Sequence, residues 1–204
     1  MPLRNRVTPL GALVAAPERG LVYGNRGCLH NDAGEIYRNW RGRRWISCQL
    51  EFRGRHRESV VPPGGYTSLF FLDDATAFAA GHRPCAECRR EDFERYREIV
   101  GARNADAIDT RLHLERVIPG TPRLCHAVDF ADIPDGAFVA FGEGTFLVLG
   151  DALLRWTPGG YAYRKPRPPH GEASMVTPPM TALVLASGWN GIVPFLHPSA
   201  LTPL

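Results

Sequence analysis

The segment Pro84-Cys85-Ala86-Glu87-Cys88 is the tightest constraint in this sequence. Two residues between thiols let both sulfurs turn toward one centre while nearby amides hydrogen-bond to them, a knuckle suited to a tetrahedral divalent ion at about 2.3 Å per sulfur. The same spacing serves disulfide exchange when the first cysteine opens a helix in a thioredoxin-like βαβ unit. The elements preceding residue 85 do not supply that setting, so metal ligation is the preferred reading, beside redox chemistry and inert burial.

A structural site of this type needs four ligands. The other thiols upstream are Cys28, in Gly27-Cys28-Leu29-His30, and Cys48, so the expected set is Cys28, Cys48, Cys85 and Cys88 around Zn2+, with His30 and His56 in reserve and Cys125 the odd thiol out. Each upstream cysteine also has a plainer reading: Cys48 as a small inward-facing strand residue, Cys28 as a buried turn residue. The count of five cysteines is odd, and the first thirty positions carry Arg4, Arg6, Glu18, Arg19 and Arg26 instead of a compact apolar leader. No run of eighteen apolar residues occurs, so the expectation is a cytoplasmic protein with reduced thiols and no membrane span.

With 204 residues and 44% hydrophobic content the chain is long enough for a sizeable core. Punctuation divides it into three zones: 1–100, a metal-binding lobe; 101–120, a helical connector; and 121–204, a β-rich domain opening at the turn Pro119-Gly120-Thr121-Pro122. The fold class expected is α+β, a small zinc-stabilised α/β lobe followed by helices and a β-rich region. Strands are expected near 21–23, 45–52, where polar and apolar residues alternate, and 68–72. Asp73-Asp74 are good N-caps for a helix over 75–80 that Gly81 ends. Helical spacing of Phe93, Tyr96, Ile99 and Val100 marks 90–100, and a further helix is expected over 105–117. Apolar runs at 137–141, 145–149 and 153–156 between glycine turns read as a meander of strands. Residues 161–179, rich in proline, glycine and basic side chains, read as an exposed loop before a last apolar segment at 181–186.

The net charge of +3 is unevenly spread. Residues 1–57 hold eleven arginines against four acids, and seven arginines fall between 38 and 57 with Trp40 and Trp45 interleaved. Arg41, Arg43, Arg44, Arg53, Arg55 and Arg57 flank Cys48 on both sides and are the candidate phosphate contacts, with the tryptophans available to stack on bases. The competing readings are a solvated charged face over core tryptophans, or a docking face for another acidic partner. Arginine makes up 23 of the 24 basic residues, which fits bidentate phosphate recognition or a codon bias equally well.

Asp106, Asp109 and His113 recur at i, i+3 and i+7 and share one helix face, a pattern fit for acid–base work or for an ordinary surface pair. No Ser-His-Asp signature, phosphate-cradling glycine loop or HExxH accompanies them.

The stretch from Tyr66 to Cys88, with a strand, Asp73-Asp74 before the helix Ala75-Thr76-Ala77-Phe78-Ala79-Ala80, Gly81, and His82-Arg83-Pro84-Cys85-Ala86-Glu87-Cys88, resembles the distal half of the zinc domain of Ada-type DNA-repair proteins. The similarity is close over about 25 residues and loose over residues 45–90; it does not extend to the C-terminal half. It implies that Cys85 and Cys88 form the second ligand pair, that Cys48 begins the first, and that one zinc-activated cysteine accepts a methyl group from a DNA phosphotriester. The sequence departs from the family pattern at Phe52, which stands where a second cysteine is expected, and this assigns the remaining ligand to Cys28. The functional expectation is a zinc protein that binds nucleic acid, DNA in the first instance, in repair or regulation. The alternatives are an enzyme, either a cysteine methyl acceptor or an Asp/His hydrolase, and a protein-interaction module.

Overall fold

The computed structural model of the chain describes residues 2–54, 59–117, 125–188 and 195–202. Both helices and sheets are present, and the class is α+β. The N-terminal sheet is built from β1 (Arg6–Val7), β2 (Leu13–Val14), β3 (Val22–Asn25), β4 (Ile46–Cys48), β5 (Leu69–Phe71) and β6 (Arg83–Pro84), in the order β2-β1-β5-β3-β4-β6. The pairs β1/β5 and β4/β6 run parallel and the others antiparallel.

Between β5 and β6 lies α1 (Asp74–Ala79), whose residues are all buried. Its sequence explains how it fits there. Ala77 and Ala80 face the N-terminal sheet beside Leu69 and Phe71, and Ala75 and Ala79 face Phe138, Leu147 and Leu154 of the C-terminal sheet. Methyl side chains let the helix backbone approach both layers. The one large residue, Phe78, points instead into a cluster with Phe93, Tyr96, Ile108, Leu112, Met180 and Val184. That cluster joins α2 (Arg90–Ile99), α3 (Ala105–Arg116) and α4 (Pro179–Ala186).

The C-terminal sheet is antiparallel throughout: β7 (His126–Asp129), β8 (Phe138–Phe141), β9 (Gly144–Leu149), β10 (Ala152–Thr157), β11 (Gly160–Pro166) and β12 (Glu172–Met175), in the order β11-β10-β9-β8-β12-β7. The meander expected at 137–156 is β8 to β10. Two stretches expected as loop, within 161–179, are strands instead. Gly160–Pro166 is the edge strand, where a proline at the end of the ladder sacrifices no interior hydrogen bond. Glu172–Met175 is inserted between β8 and β7. Strand β4 is shorter than the alternation over 45–52 suggests, because its pairing ends at Cys48. The turn expected at 119–122 lies outside the described residues.

Asp73 fixes this arrangement from within. Its carboxylate accepts from the Thr76 amide at 2.9 Å and the Thr76 hydroxyl at 2.7 Å, capping α1, and also from the Tyr161 hydroxyl of β11 at 2.7 Å and the His197 amide at 3.1 Å. Burial pushes this carboxyl above its ordinary range, and the four donors oppose that shift. One side chain thus caps the central helix and pins both the far sheet and the C-terminal segment. Replacing Asp73 by Ala removes the cap and leaves the Tyr161 hydroxyl buried without its acceptor. Urea unfolding is expected to show a loss of about 2–4 kcal/mol, against roughly 1 kcal/mol for an ordinary surface cap.

Candidate metal centre

Strand register brings the centre together. In the parallel β4/β6 pair Ile46 lies opposite Arg83 and Ser47 opposite Pro84, so the next residue on each strand is a cysteine: Cys48 and Cys85. The Cys85 amide donates to the Ser47 carbonyl at 2.9 Å and closes the ladder at that point. The knuckle then folds back, with the Arg89 amide on the Cys85 carbonyl at 3.1 Å, and delivers Cys88 as α2 begins. The sulfurs of Cys48, Cys85 and Cys88 lie within 4.8 Å of one another. Tetrahedral zinc thiolates require sulfur separations of about 3.8 Å at 2.3 Å per bond, so a small contraction suffices to hold an ion. Tyr23 and Phe70 cover the cluster from the sheet.

The electrostatics suit a cation. Thiol hydrogen bonds from Cys48 and then Cys88 hold the Cys85 thiol well below its usual range, helped by the Glu87 amide at 3.5 Å from its sulfur. Hydrogen bonding to Cys85 and Cys88, together with burial, pushes Cys48 up. Three thiols in one place therefore share their protons unequally. A divalent ion replaces those protons and permits all three sulfurs to carry charge.

Cys28, expected as the fourth ligand, lies outside this group. Its half-buried thiol approaches the His30 carbonyl at 3.5 Å. His30 is also engaged elsewhere, with Nδ1 at 2.6 Å from the Thr67 hydroxyl and Nε2 at 3.1 Å from the Pro62 carbonyl. His56 lies outside the described residues. Cys125 packs beside the C-terminal sheet.

Two buried arginines that the sequence did not single out surround the knuckle. Arg89 forks onto Asp74 of α1, with the longer contact at 3.0 Å, reaches Asp92 of α2 at 2.8 Å, and contacts the Ser47 hydroxyl at 3.4 Å. Burial pushes the Asp74 carboxyl up to about 6 against the pull of Arg89. Arg83 makes a bidentate pair with Asp109 of α3 at 3.0 and 2.9 Å. The only sequence signal for either arginine is its position beside the CxxC motif.

The acidic and histidine residues of α3 do not converge. Asp109 is committed to Arg83, Asp106 pairs with exposed Arg44 at 3.2 Å, and the His113 ring packs edge-on against Trp40 at 5.0 Å. Burial, then the charges of Arg116 and Arg43, hold His113 below its ordinary value. An Asp109–His113 surface pair is not formed, because Asp109 is buried.

Of the candidate phosphate contacts, Arg41, Arg43, Arg44 and Arg53 are exposed. Arg43 reaches the Thr110 hydroxyl at 3.4 Å, and Arg53 lies over the Phe52 ring at 5.0 Å. Arg55 and Arg57 lie outside the described residues. The two tryptophans differ: Trp45 is in the core at 3% exposure and Trp40 is 40% exposed. Among the described residues, no helix is long and apolar enough to cross a membrane.

A scan against protein-family models, a search of curated proteins and a search of solved structures found no match to this chain.

Breaking the pair beneath the centre is expected to be costly. Asp109→Ala leaves the Arg83 guanidinium buried without its carboxylate, and chemical denaturation should show a loss of about 3–5 kcal/mol. His113→Ala should cost far less.

Proposed function

We propose that this chain is a zinc protein that binds nucleic acid, with DNA as the first partner to test. The reading is supported above all by one observation: three sulfurs from two separate segments lie within 4.8 Å of one another, held there by strand register. The donor chemistry favours zinc, since soft thiolates select it over magnesium or calcium, and a reduced compartment would keep the thiols available. The likeness of residues 45–90 to Ada-type zinc domains points the same way. In this reading the metal is structural: it staples the end of β4 to the knuckle before α2, at the edge of the sheet where the hydrogen-bond ladder stops.

The exposed arginines at 41, 43, 44 and 53 supply the electrostatic face. The Arg44–Asp106 pair is solvent-exposed on both sides, so it contributes little and can yield to a phosphate.

Elemental analysis of purified protein is expected to find one zinc per chain. Serine at 48, 85 or 88 should abolish retention, whereas serine at 28 or 125 should leave it intact; zinc retained in all three of the first variants would overturn the metal reading.

Fluorescence anisotropy with random-sequence DNA should show binding that weakens steeply with salt. Four arginine–phosphate contacts at about 0.7–0.9 counterions each give a slope near −3 in log K against log salt. Replacing Arg41 and Arg44 by Glu should flatten that slope. Absence of binding at low salt would remove the nucleic-acid reading and leave the metal centre untouched.

A further inference from the structure

The C-terminal sheet carries a group of aromatic and cationic side chains far along the chain from the cysteines, all within the described stretch 125–188. Buried Phe146 of β9 is its hub. Phe141 of β8 meets that ring edge-on at 6.4 Å and Tyr163 of β11 at 6.0 Å, and these two outer rings are 40% and 48% exposed. The Lys165 ammonium lies 3.7 and 4.0 Å from the ring centres of Phe141 and Phe146. The Arg155 guanidinium carbon lies 5.4 Å from the centre of Phe146.

Strand register explains the gathering. Arg155 stands opposite Phe146 across the β9/β10 pair, and side chains two residues apart share a face, which puts Tyr163 and Lys165 together on β11. Pairing shifts by one residue between Leu154 and Trp156, so Ala162 and Tyr163 both lie opposite Arg155. A bulge of this kind re-aims a side chain, and Tyr163 reaches the Phe146 ring from it. A Cβ on Gly144 would sit 0.9 Å from a guanidinium nitrogen of Arg155, so the bare backbone there leaves the space that this cation fills.

Two cations are thus held near each other without an acid. Arg155 donates to the Glu143 carbonyl at 3.2 Å, and among the described residues neither it nor Lys165 forms an ion pair with a carboxylate. Burial, then the charge of Arg155, holds the Lys165 amine below its ordinary value, a cost that an arriving anion relieves. Lys165 is also the single lysine of a chain with 23 arginines. Its compact ammonium on a flexible stem sits over two rings at once.

Exposed rings beside cations that no carboxylate neutralises offer base stacking and phosphate contact on one surface. We propose that this face of the C-terminal sheet binds single-stranded nucleic acid, with bases stacked on Tyr163 and Phe141 and the phosphates held by Lys165 and Arg155. The choice of partner rests on the nucleic-acid reading above and adds to it a preference for unpaired strands, since a duplex keeps its base faces stacked on one another.

The single lysine gives the test a chemical handle. Full-length protein as purified is treated with an acetylating N-hydroxysuccinimide ester, and modification of Lys165 is followed by peptide mass spectrometry. Oligothymidylate of about twelve nucleotides is expected to slow that acetylation about five-fold or more, while duplex DNA and polyglutamate protect less. In fluorescence anisotropy, Tyr163→Ala, an exposed edge-strand change whose thermal transition is recorded to confirm folding, should weaken oligothymidylate about five-fold or more through lost stacking. Lys165→Gln should lower the steepness of the salt dependence by roughly 1 in log K against log salt.

DNA binding with Lys165 left unprotected, or oligothymidylate affinity unchanged in Tyr163→Ala, would overturn the sheet face and leave the arginine face at 41–53 standing. Protection by polyglutamate equal to that by oligothymidylate would also overturn it, marking a surface for acidic protein. No binding of single-stranded or duplex DNA at low salt would remove both readings.

Discussion

The fork of Arg89 onto Asp74 is the joint on which the N-terminal half depends. It ties the first residue of the central helix to the residue that follows the cysteine knuckle, and the same guanidinium reaches Asp92 on α2 and Ser47 on β4. Three segments distant in sequence, at 47, 74 and 89–92, thus meet on one planar group. Taking a carboxylate and a guanidinium out of water is expensive, and an ion pair of this kind stabilises only if its remaining donors are satisfied. Here the extra contacts to Asp92 and Ser47 supply that satisfaction. They also fix the direction in which the chain leaves Cys88, and so the placement of its sulfur relative to the other two.

The cysteine cluster and the central helix are therefore one mechanical unit. α1 has no surface of its own: one side packs on each sheet and Phe78 enters the helical cluster. Asp73 at its start is held by the C-terminal sheet, and Asp74, the next residue, is held by the knuckle. A metal ion held by the cysteines would consequently act on the same turn of helix to which Tyr161 and His197 are anchored. The division into a metal-binding lobe and a β-rich region describes the order of the chain, while the core runs continuously between them through α1.

What could be read in the sequence follows from what is local. The cap and extent of α1 were legible because Asp73 and Gly81 are short-range signals. The helix at 90–99 was legible from the spacing of its apolar residues, and one was expected over 105–117, where α3 lies. That Cys48 lies beside Cys85 and Cys88 was expected because so few thiols precede the CxxC pair. The end of β4 was not, since the side-chain alternation continues to Phe52 after the ladder has stopped. Strand β11 was hidden by its composition: an edge strand tolerates the prolines, glycines and charges that mark a loop elsewhere. The fate of Asp109 was least legible of all. Helical spacing predicts a neighbour on its own helix, His113, but the carboxylate is taken by Arg83, 26 residues earlier, and nothing in local spacing encodes that choice.

The preponderance of arginine takes on a third meaning beside phosphate contact and codon bias. Arg26, Arg83, Arg89 and Arg116 are all buried, and each uses the planar fork in a way an ammonium cannot. Arg83 and Arg89 grip carboxylates bidentately, and Arg26 and Arg116 lie over an indole while donating to carbonyls. Lysine offers one compact, strongly hydrated charge, which neither stacks nor bridges two acceptors at fixed angles. Part of the arginine content is thus an interior requirement of this fold. That requirement divides the basic residues by position: those at 41, 43, 44 and 53 remain at the surface, while the buried four pack beside the cysteine knuckle and against Trp45.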